Sequence, residues 1–487
     1  MKTKYIFKIS QSFIFLFVSF CIWPTEKSLA NPLDRYVSKP DPAYEYRLIS
    51  SKKKSGYTTF ILEMTSQSYL TKKDVDRTLW KHWVTIVKPT RVRHQTGMLM
   101  ITGGSNGKEP PLKANDIVIQ TAVKTGSVVT ELNMVPNQPL RFAGEDRDRY
   151  EDAFIAYTWD KYLRTGEERW PARLPMTKAA VRAMDTITNF LLKPERGKAV
   201  LVNKFVVAGA SKRGWTTWSV AAVDKRVVAI VPIVIDMLNV VPSFKHHYRA
   251  YGGYSPAVKD YVDMGIMGWQ DMPEYKKLLK FIEPYEFRER FTMPKFLINA
   301  CGDQFFLPDS WKFYYRDLVG QKHLRYVPNT GHSLNGTDAV YSMASYFNAI
   351  LNDTKLPDYD WNILADGSIK VTTLNRPKEV LLWQCTNTEA RDFRIEVTGK
   401  TWVSRQLRSD GKGSYLAKVS EPPKGWTAFM VELTFPEIEK RSNTKKLGER
   451  LGKSNNQIGV PLKFTTGVHV VPETMPYEFK QVPIPER

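Results

Sequence analysis

The sequence predicts an α/β fold, a largely parallel sheet covered by helices on both faces, followed by a segment built of strands alone. Three observations carry that expectation. Between residues 57 and 351, short apolar runs alternate with stretches of helical apolar spacing. The strands at 204–208 and 295–299 have continuously apolar cores, 205–208 and 296–298, rather than alternating ones, as strands buried on both faces do. Beyond Trp361 the helical spacing stops, and β-branched and aromatic residues recur in short runs split by turns such as Asp366-Gly367 and Asp410-Gly411.

The N-terminus reads as an address. Lys2, Lys4 and Lys8 precede an apolar run at 13–23, and Ser28, Leu29 and Ala30 place small residues at the −3 and −1 positions before Asn31. That order is a secretory signal peptide over residues 1–30. The run is shorter than the about 20 residues a membrane anchor needs. Bulky Phe20 ahead of Cys21 argues against lipid attachment. The expectation is an exported protein, periplasmic or secreted, with no transmembrane anchor.

Strands are then expected at 57–65, 82–87 and 97–101, with a glycine-rich loop at 102–107. A short helix at 117–123, a strand at 127–134 and helices at 149–163 and 177–192 follow. Next come a strand at 204–208, a helix at 214–223 and a strand at 227–235. About 60 residues without strand character, 236–293, interrupt the pattern. It resumes with a strand at 295–299, a helix at 310–319, a strand at 323–327 and a helix at 338–351. Residues 357–487 read as a separate immunoglobulin-like or fibronectin-like β-sandwich, with runs such as 369–372 and 394–397 as strands.

Lys and Arg number 71 against 50 Asp and Glu, a formal net charge of +21. The cations are spread along the chain, with no basic tail, no C-x-x-C pair and no RNA-recognition signature. This argues against nucleic acid and for a soluble cationic surface loosely attracted to an anionic envelope. After cleavage only Cys301 and Cys385 remain. Two cysteines do not make a disulfide scaffold; two buried thiols are expected, and a single bridge between them stays open.

The chemistry centres on Gly209-Ala210-Ser211-Lys212-Arg213-Gly214, where an apolar strand runs through a Gly-x-Ser turn directly into a helix. Such a turn lifts a serine hydroxyl above the sheet and leaves the next backbone N–H, here that of Lys212, to meet an oxyanion. A serine needs a base and the base an orienting carboxylate. Asp303 follows one later strand and His332 the next, so serine, acid and histidine each stand at a strand's C-terminal end. That chain order is the α/β-hydrolase arrangement. Asp309 and Asp236 are rival acids. The second oxyanion donor is expected from Gly103, Gly104 or Ser105, whose loop lacks the Gly-Lys-Ser/Thr ending of a phosphate loop.

Residues 236–293 occupy the place of a cap and carry many aromatics. His247 and Trp269 there are candidates for substrate contact, and so is the acidic pair Glu151 and Asp152, suited to a peptide's amino group. His246 and His247 have no partner at metal-ligand spacing, so no metal and no other cofactor is expected.

Several stretches together are distinctive: PNQPL at 136–140, EDAFIAYTW at 151–159, PMTK at 175–178, GASKRGW at 209–215, GDQFFLPDS at 302–310, LWQ at 382–384 and ARDFR at 390–394. On these the chain resembles the PhoPQ-activated pathogenicity-related protein family of the α/β-hydrolase superfamily, over nearly all of the mature sequence. The resemblance implies a link to virulence or envelope stress and no defined substrate. The second glycine of the usual Gly-x-Ser-x-Gly is displaced by one, with Arg213 in its place. That spacing is shared with glucuronoyl esterases, and the similarity implies a Lys212 ammonium in the oxyanion hole, with a lysine directed to solvent as the alternative.

The sequence thus points to a serine hydrolase acting on a small-molecule, peptide or saccharide ester. The alternatives are an aminopeptidase-like serine peptidase, or a non-catalytic protein of the same fold binding an envelope polyanion or a surface partner.

Overall fold

A computed structural model describes residues 31–193, 198–436 and 461–486. The export signal read at 1–30 lies outside the described residues. No described helix is long and apolar enough to cross a membrane.

In chain order the elements begin with α1 (Pro32–Ser38), β1 (Glu45–Lys54), β2 (Tyr57–Ser68), β3 (Leu79–Pro89) and β4 (Thr96–Ile101). Next come α2 (Asp116–Thr125), β5 (Val129–Leu132), α3 (Glu151–Thr165) and α4 (Arg173–Leu191). The centre is β6 (Lys204–Ala210), α5 (Lys212–Val223) and β7 (Val227–Ile233), followed by α6 (Val240–Tyr251), α7 (Lys259–Asp263) and α8 (Pro273–Ile282). Then β8 (Lys295–Ala300), β9 (Lys322–Val327) and α9 (Ala339–Leu351) complete the α/β part. The remainder is β10 (Tyr359–Ile363), β11 (Ile369–Thr373), β12 (Glu379–Asn387), α10 (Ile395–Thr398), β13 (Val403–Gln406), β14 (Ser414–Ala417), β15 (Trp426–Phe435), β16 (Leu462–Thr465) and β17 (His469–Val471).

The sheet is mixed. Its order runs β1-β2-β3-β5-β4-β6-β7-β8-β9. The six strands from β5 to β9 along that order are parallel, whereas β1, β2 and β3 pair antiparallel and β3 is antiparallel to β5. The parallel strands read as predicted because both of their faces are covered: β8 is buried at every position. β1 has no apolar run to read. Most of its positions are exposed and it ends on Lys52, Lys53 and Lys54, a cationic sheet edge of the kind that discourages further pairing. α1 announces itself only by its cap, with the Asn31 side chain accepting from Leu33 N and Pro32 in the first turn.

Three expectations need correction. The helix at 310–319 is two short 3₁₀ turns, Ser310–Phe313 and Tyr315–Asp317. Tertiary partners override its helical spacing: Trp311 Nε1 donates to Val468 O, the Tyr314 hydroxyl to Asp236, and Tyr315 stacks on Trp361. The run at 394–397 is not a strand but the single turn α10, started by Asp392 accepting from Arg394 N.

The third concerns the separate sandwich from residue 357. Strands β10, β11 and β14 do form a small sheet, but β13, β12, β15 and β16 extend the central sheet beyond β9. The join is Thr465 opposite Leu324, and Thr465 Oγ1 also accepts from Tyr326 N. Phe464 stacks on His323 at 4.3 Å, and Cys301 Sγ lies 4.0 Å from Met430 Sδ. The C-terminal strands therefore cover what would be the open edge at β9, and they share its core. Cys301 and Cys385 are both free and buried.

Candidate active site

Ser211 sits between β6 and α5 at φ 57°, ψ −126°, a conformation a non-glycine residue holds only when its surroundings impose it. They do so through the ladder bond from Ser211 N to Ile233 O and the first helical bond from Trp215 N to Ser211 O. Two glycines let α5 fold back on β6. A Cβ at Gly209 would lie 2.6 Å from Arg213 O, and one at Gly214 would lie 2.9 Å from Ile235 Cγ2. The glycine displaced by one in the sequence is thus the one that packs the helix on β7.

Asp303 follows β8 and His332 follows β9. Both Asp303 carboxylate oxygens are 2.9 Å from His332 Nδ1, and Oδ1 also accepts from Phe305 N. Gln304 holds the histidine loop by accepting from His332 N at 2.8 Å. α10 braces both loops from behind. Ile395 N donates to Gly302 O, and the Ile395 side chain sits where a Cβ on Gly302 or Gly331 would go.

The rival acids are occupied elsewhere. Asp309 holds His246 Nε2, Lys312 Nζ and Arg391 Nη2, a buried knot tying α6 to the segment before α10. Asp236 accepts from the hydroxyls of Tyr314 and Tyr326, and burial pushes its carboxyl up to about 8. Its ordinary value is near 3.8, so between about pH 4 and pH 8 the folded state holds a proton that the unfolded state has released, and stability falls as pH rises across that window. Asp236→Asn removes the titration. Urea unfolding at several pH values should show a flatter profile than the parent, with the variant gaining on it towards pH 8. An unchanged slope would show that Asp236 is ionised in the folded chain.

On the other side of Ser211, the loop after β4 carries Gly103, Gly104 and Ser105. Gly104 is exposed at φ 134°, a region open to glycine. Gly103 has the Arg213 guanidinium where a Cβ would stand, 2.6 Å from Nη2. Arg213 is clamped in turn by Glu151, Nη1 to Oε2 at 2.7 Å and Nη2 to Oε1 at 2.6 Å, and it donates through Nε to Val135 O. Lys212 Nζ lies 2.8 Å from Glu151 Oε2 and 3.1 Å from Asp152 Oδ2, with its side chain buried. Its ammonium is thus shared between two carboxylates, and its backbone N–H opens α5.

A narrow, largely enclosed pocket reaches Ser211. Trp159, Trp215, Tyr261 and Tyr275 form an aromatic wall; Phe244, Val258, Ile266 and Met267 come from the helical insertion between β7 and β8; Phe305 and Phe306 close it towards His332, with the Phe305 ring 4.3 Å from the imidazole. Asp152, Lys212 and Arg173 supply its polar corner.

The structure thus brings Ser211, Lys212 and Asp152 to one pocket and joins Asp303 to His332 beside it. It does not bring His247 or Trp269 there. His247 is buried within the insertion, accepting from Ser255 N at 2.9 Å, and Trp269 lies under Arg164. Glu151 serves as counter-ion to Lys212 and Arg213 rather than as pocket lining. The sequence reading passed over Arg173, Arg213, Tyr261, Phe305 and Phe306. Only Arg213, standing where the elbow glycine is usual, left a signal. Among the described residues no group of three or more potential ligands is placed to hold a metal ion.

A serine elbow after β6 and an aspartate–histidine pair after β8 and β9 of a mixed sheet define an α/β-hydrolase-type architecture. The chain belongs to the PhoPQ-activated pathogenicity-related protein family, which it matches over residues 33–394. It is 36% identical over 474 residues to autocrine proliferation repressor protein A of Dictyostelium discoideum, with 92% of each chain covered. Among solved structures, acetyl xylan esterase 1 of Thermoanaerobacterium sp. is similar at 15% identity and a TM-score of 0.44, covering 66% of this chain and 92% of that one. A glucuronoyl esterase from Solibacter usitatus is similar at 14% identity and a TM-score of 0.34, covering 62% and 86%.

Proposed function

We propose that this chain is an exported serine hydrolase of carboxylic esters. The observation that carries the reading is the strained Ser211 turn opening onto the pocket, with the Asp303–His332 pair alongside. Ser211 Oγ attacks the ester carbonyl as His332 Nε2 takes its proton. Asp303 accepts from Nδ1–H, which sets the tautomer and steadies the imidazolium. The tetrahedral oxyanion is met by the Lys212 N–H and by the loop carrying Gly103, Gly104 and Ser105. The alcohol leaves with the proton from His332, and water repeats the sequence on the acyl-enzyme. Because the Lys212 ammonium is already shared by Glu151 and Asp152, its part in the oxyanion hole falls to the backbone. The same pairing leaves Glu151 and Asp152 poorly placed for a peptide's amino group, which favours ester over aminopeptidase chemistry.

The test is fluorophosphonate labelling of the mature protein with the adduct located by mass spectrometry. A single adduct on Ser211, absent in His332→Ala, is expected. A folded protein that takes up neither a fluorophosphonate nor a smaller phosphonylating reagent would instead be a non-catalytic member of the fold.

A further inference from the structure

We infer that the pocket beside Ser211 contains a carboxylate subsite at Arg173, so that the substrate is an ester carrying a separate free carboxylate on an apolar body. The inference rests on the hydrolase reading for the word substrate, but the subsite stands on its own geometry.

Arg173 opens α4, lines the pocket and is 4% exposed. Its guanidinium lies 4.3 Å over the Trp215 ring and gives one hydrogen bond, Nη1 to Lys212 O at 3.0 Å. The Tyr261 hydroxyl is its other polar neighbour, and that hydroxyl is committed to Asp152 Oδ1 at 3.1 Å. Nε is buried with no hydrogen-bond partner. Among the described residues no carboxylate lies within ion-pair distance of Arg173, whereas Lys212 has two and Arg213 has one.

The balance of charge sharpens the point. Three cations, Arg173 and Lys212 buried and Arg213 half-buried, face two carboxylates, Glu151 and Asp152, of which only Asp152 acts on Arg173, and that beyond ion-pair distance. Asp260, on the insertion, is coupled to Asp152 and Lys212 but does not pair with Arg173. A buried charge without a counter-ion is costly, and a guanidinium fork matches a carboxylate better than any other common anion of that size. The aromatic and aliphatic remainder of the wall calls for an apolar body behind that carboxylate.

The probe is 3-phenylpropionate against its neutral isostere 3-phenylpropionamide, each as a competitor of fluorophosphonate labelling in the wild type. The carboxylate should slow adduct formation at Ser211 about tenfold more than the amide, the scale of one charge-assisted contact. Arg173→Gln should erase that difference and Arg173→Lys should retain part of it. Labelling that both competitors slow equally, or neither slows, overturns the subsite and leaves the hydrolase reading intact. If Ser211 does not label at all, that reading falls. The subsite is then decided by thermal shift of the Ser211→Ala protein, where the carboxylate must raise Tm and the amide must not. The wild-type comparison decides the question even where an Arg173 variant fails to fold.

Discussion

Ser211→Ala should lower ester turnover by about 10⁴-fold or more, and His332→Ala by a similar factor, with the double variant little worse than either. The non-additivity follows from the proposed mechanism. In that mechanism the serine is activated only through the imidazole, so removing either partner removes the whole proton relay and leaves binding and oxyanion contacts. Asp303→Asn should cost about as much, since both of its oxygens bond His332 Nδ1 and an amide there favours the wrong tautomer. Single-turnover kinetics with an aryl ester, alongside circular dichroism, separate this loss from unfolding. Turnover surviving in Ser211→Ala would place the reaction elsewhere. The same residue stores strain. Ser211→Gly, which relieves the positive φ, should raise stability by about 1 kcal/mol in urea titrations while abolishing turnover.

Glu151→Gln should lower both stability and activity. Burial alone would raise the Glu151 carboxyl, but the Arg213 fork and the Lys212 ammonium outweigh it and hold it near 2. Its folded value therefore lies below its unfolded one, near 4.5. The stabilisation it brings is fully present above pH 4.5 and is lost as pH falls towards 2. Breaking such a cluster costs about 3 kcal/mol when fully buried; with the Glu151 side chain 39% exposed, about 2 kcal/mol is the expectation at pH 7. Urea unfolding should show the gap between parent and variant closing between pH 4.5 and pH 2. Activity should fall about tenfold or more, because the unclamped Arg213 no longer supports Gly103 in the proposed oxyanion loop. Equal unfolding curves at pH 7 would show that the three charges are independent of one another.

The elbow was readable because everything that shapes it is local. An apolar strand, a serine, two close-packing glycines and a helix occur within about twenty consecutive residues, and only one backbone path suits them. Asp303 and His332 were readable through chain order, since each strand of a parallel sheet delivers its following loop to the same edge. By contrast, the helical spacing at 310–319 misled because Trp311, Tyr314 and Tyr315 have distant partners that outweigh local preference. β1 was silent because an exposed edge strand has no apolar period to show.

By itself, then, the sequence determined the α/β order of elements and the positions of Ser211, Asp303 and His332 after β6, β8 and β9, all consequences of short-range spacing and of chirality. Tertiary structure alone decided what each charge faces. Glu151 reaches Lys212 and Arg213 across some sixty residues, Asp303 rather than Asp236 or Asp309 meets the histidine, and among the described residues no carboxylate lies within ion-pair distance of Arg173. It also decided that Ile395 braces the acid and histidine loops and that β16 closes the sheet at β9. Those pairings depend on which surfaces the folded sheet brings together, and chain separation carries no trace of that.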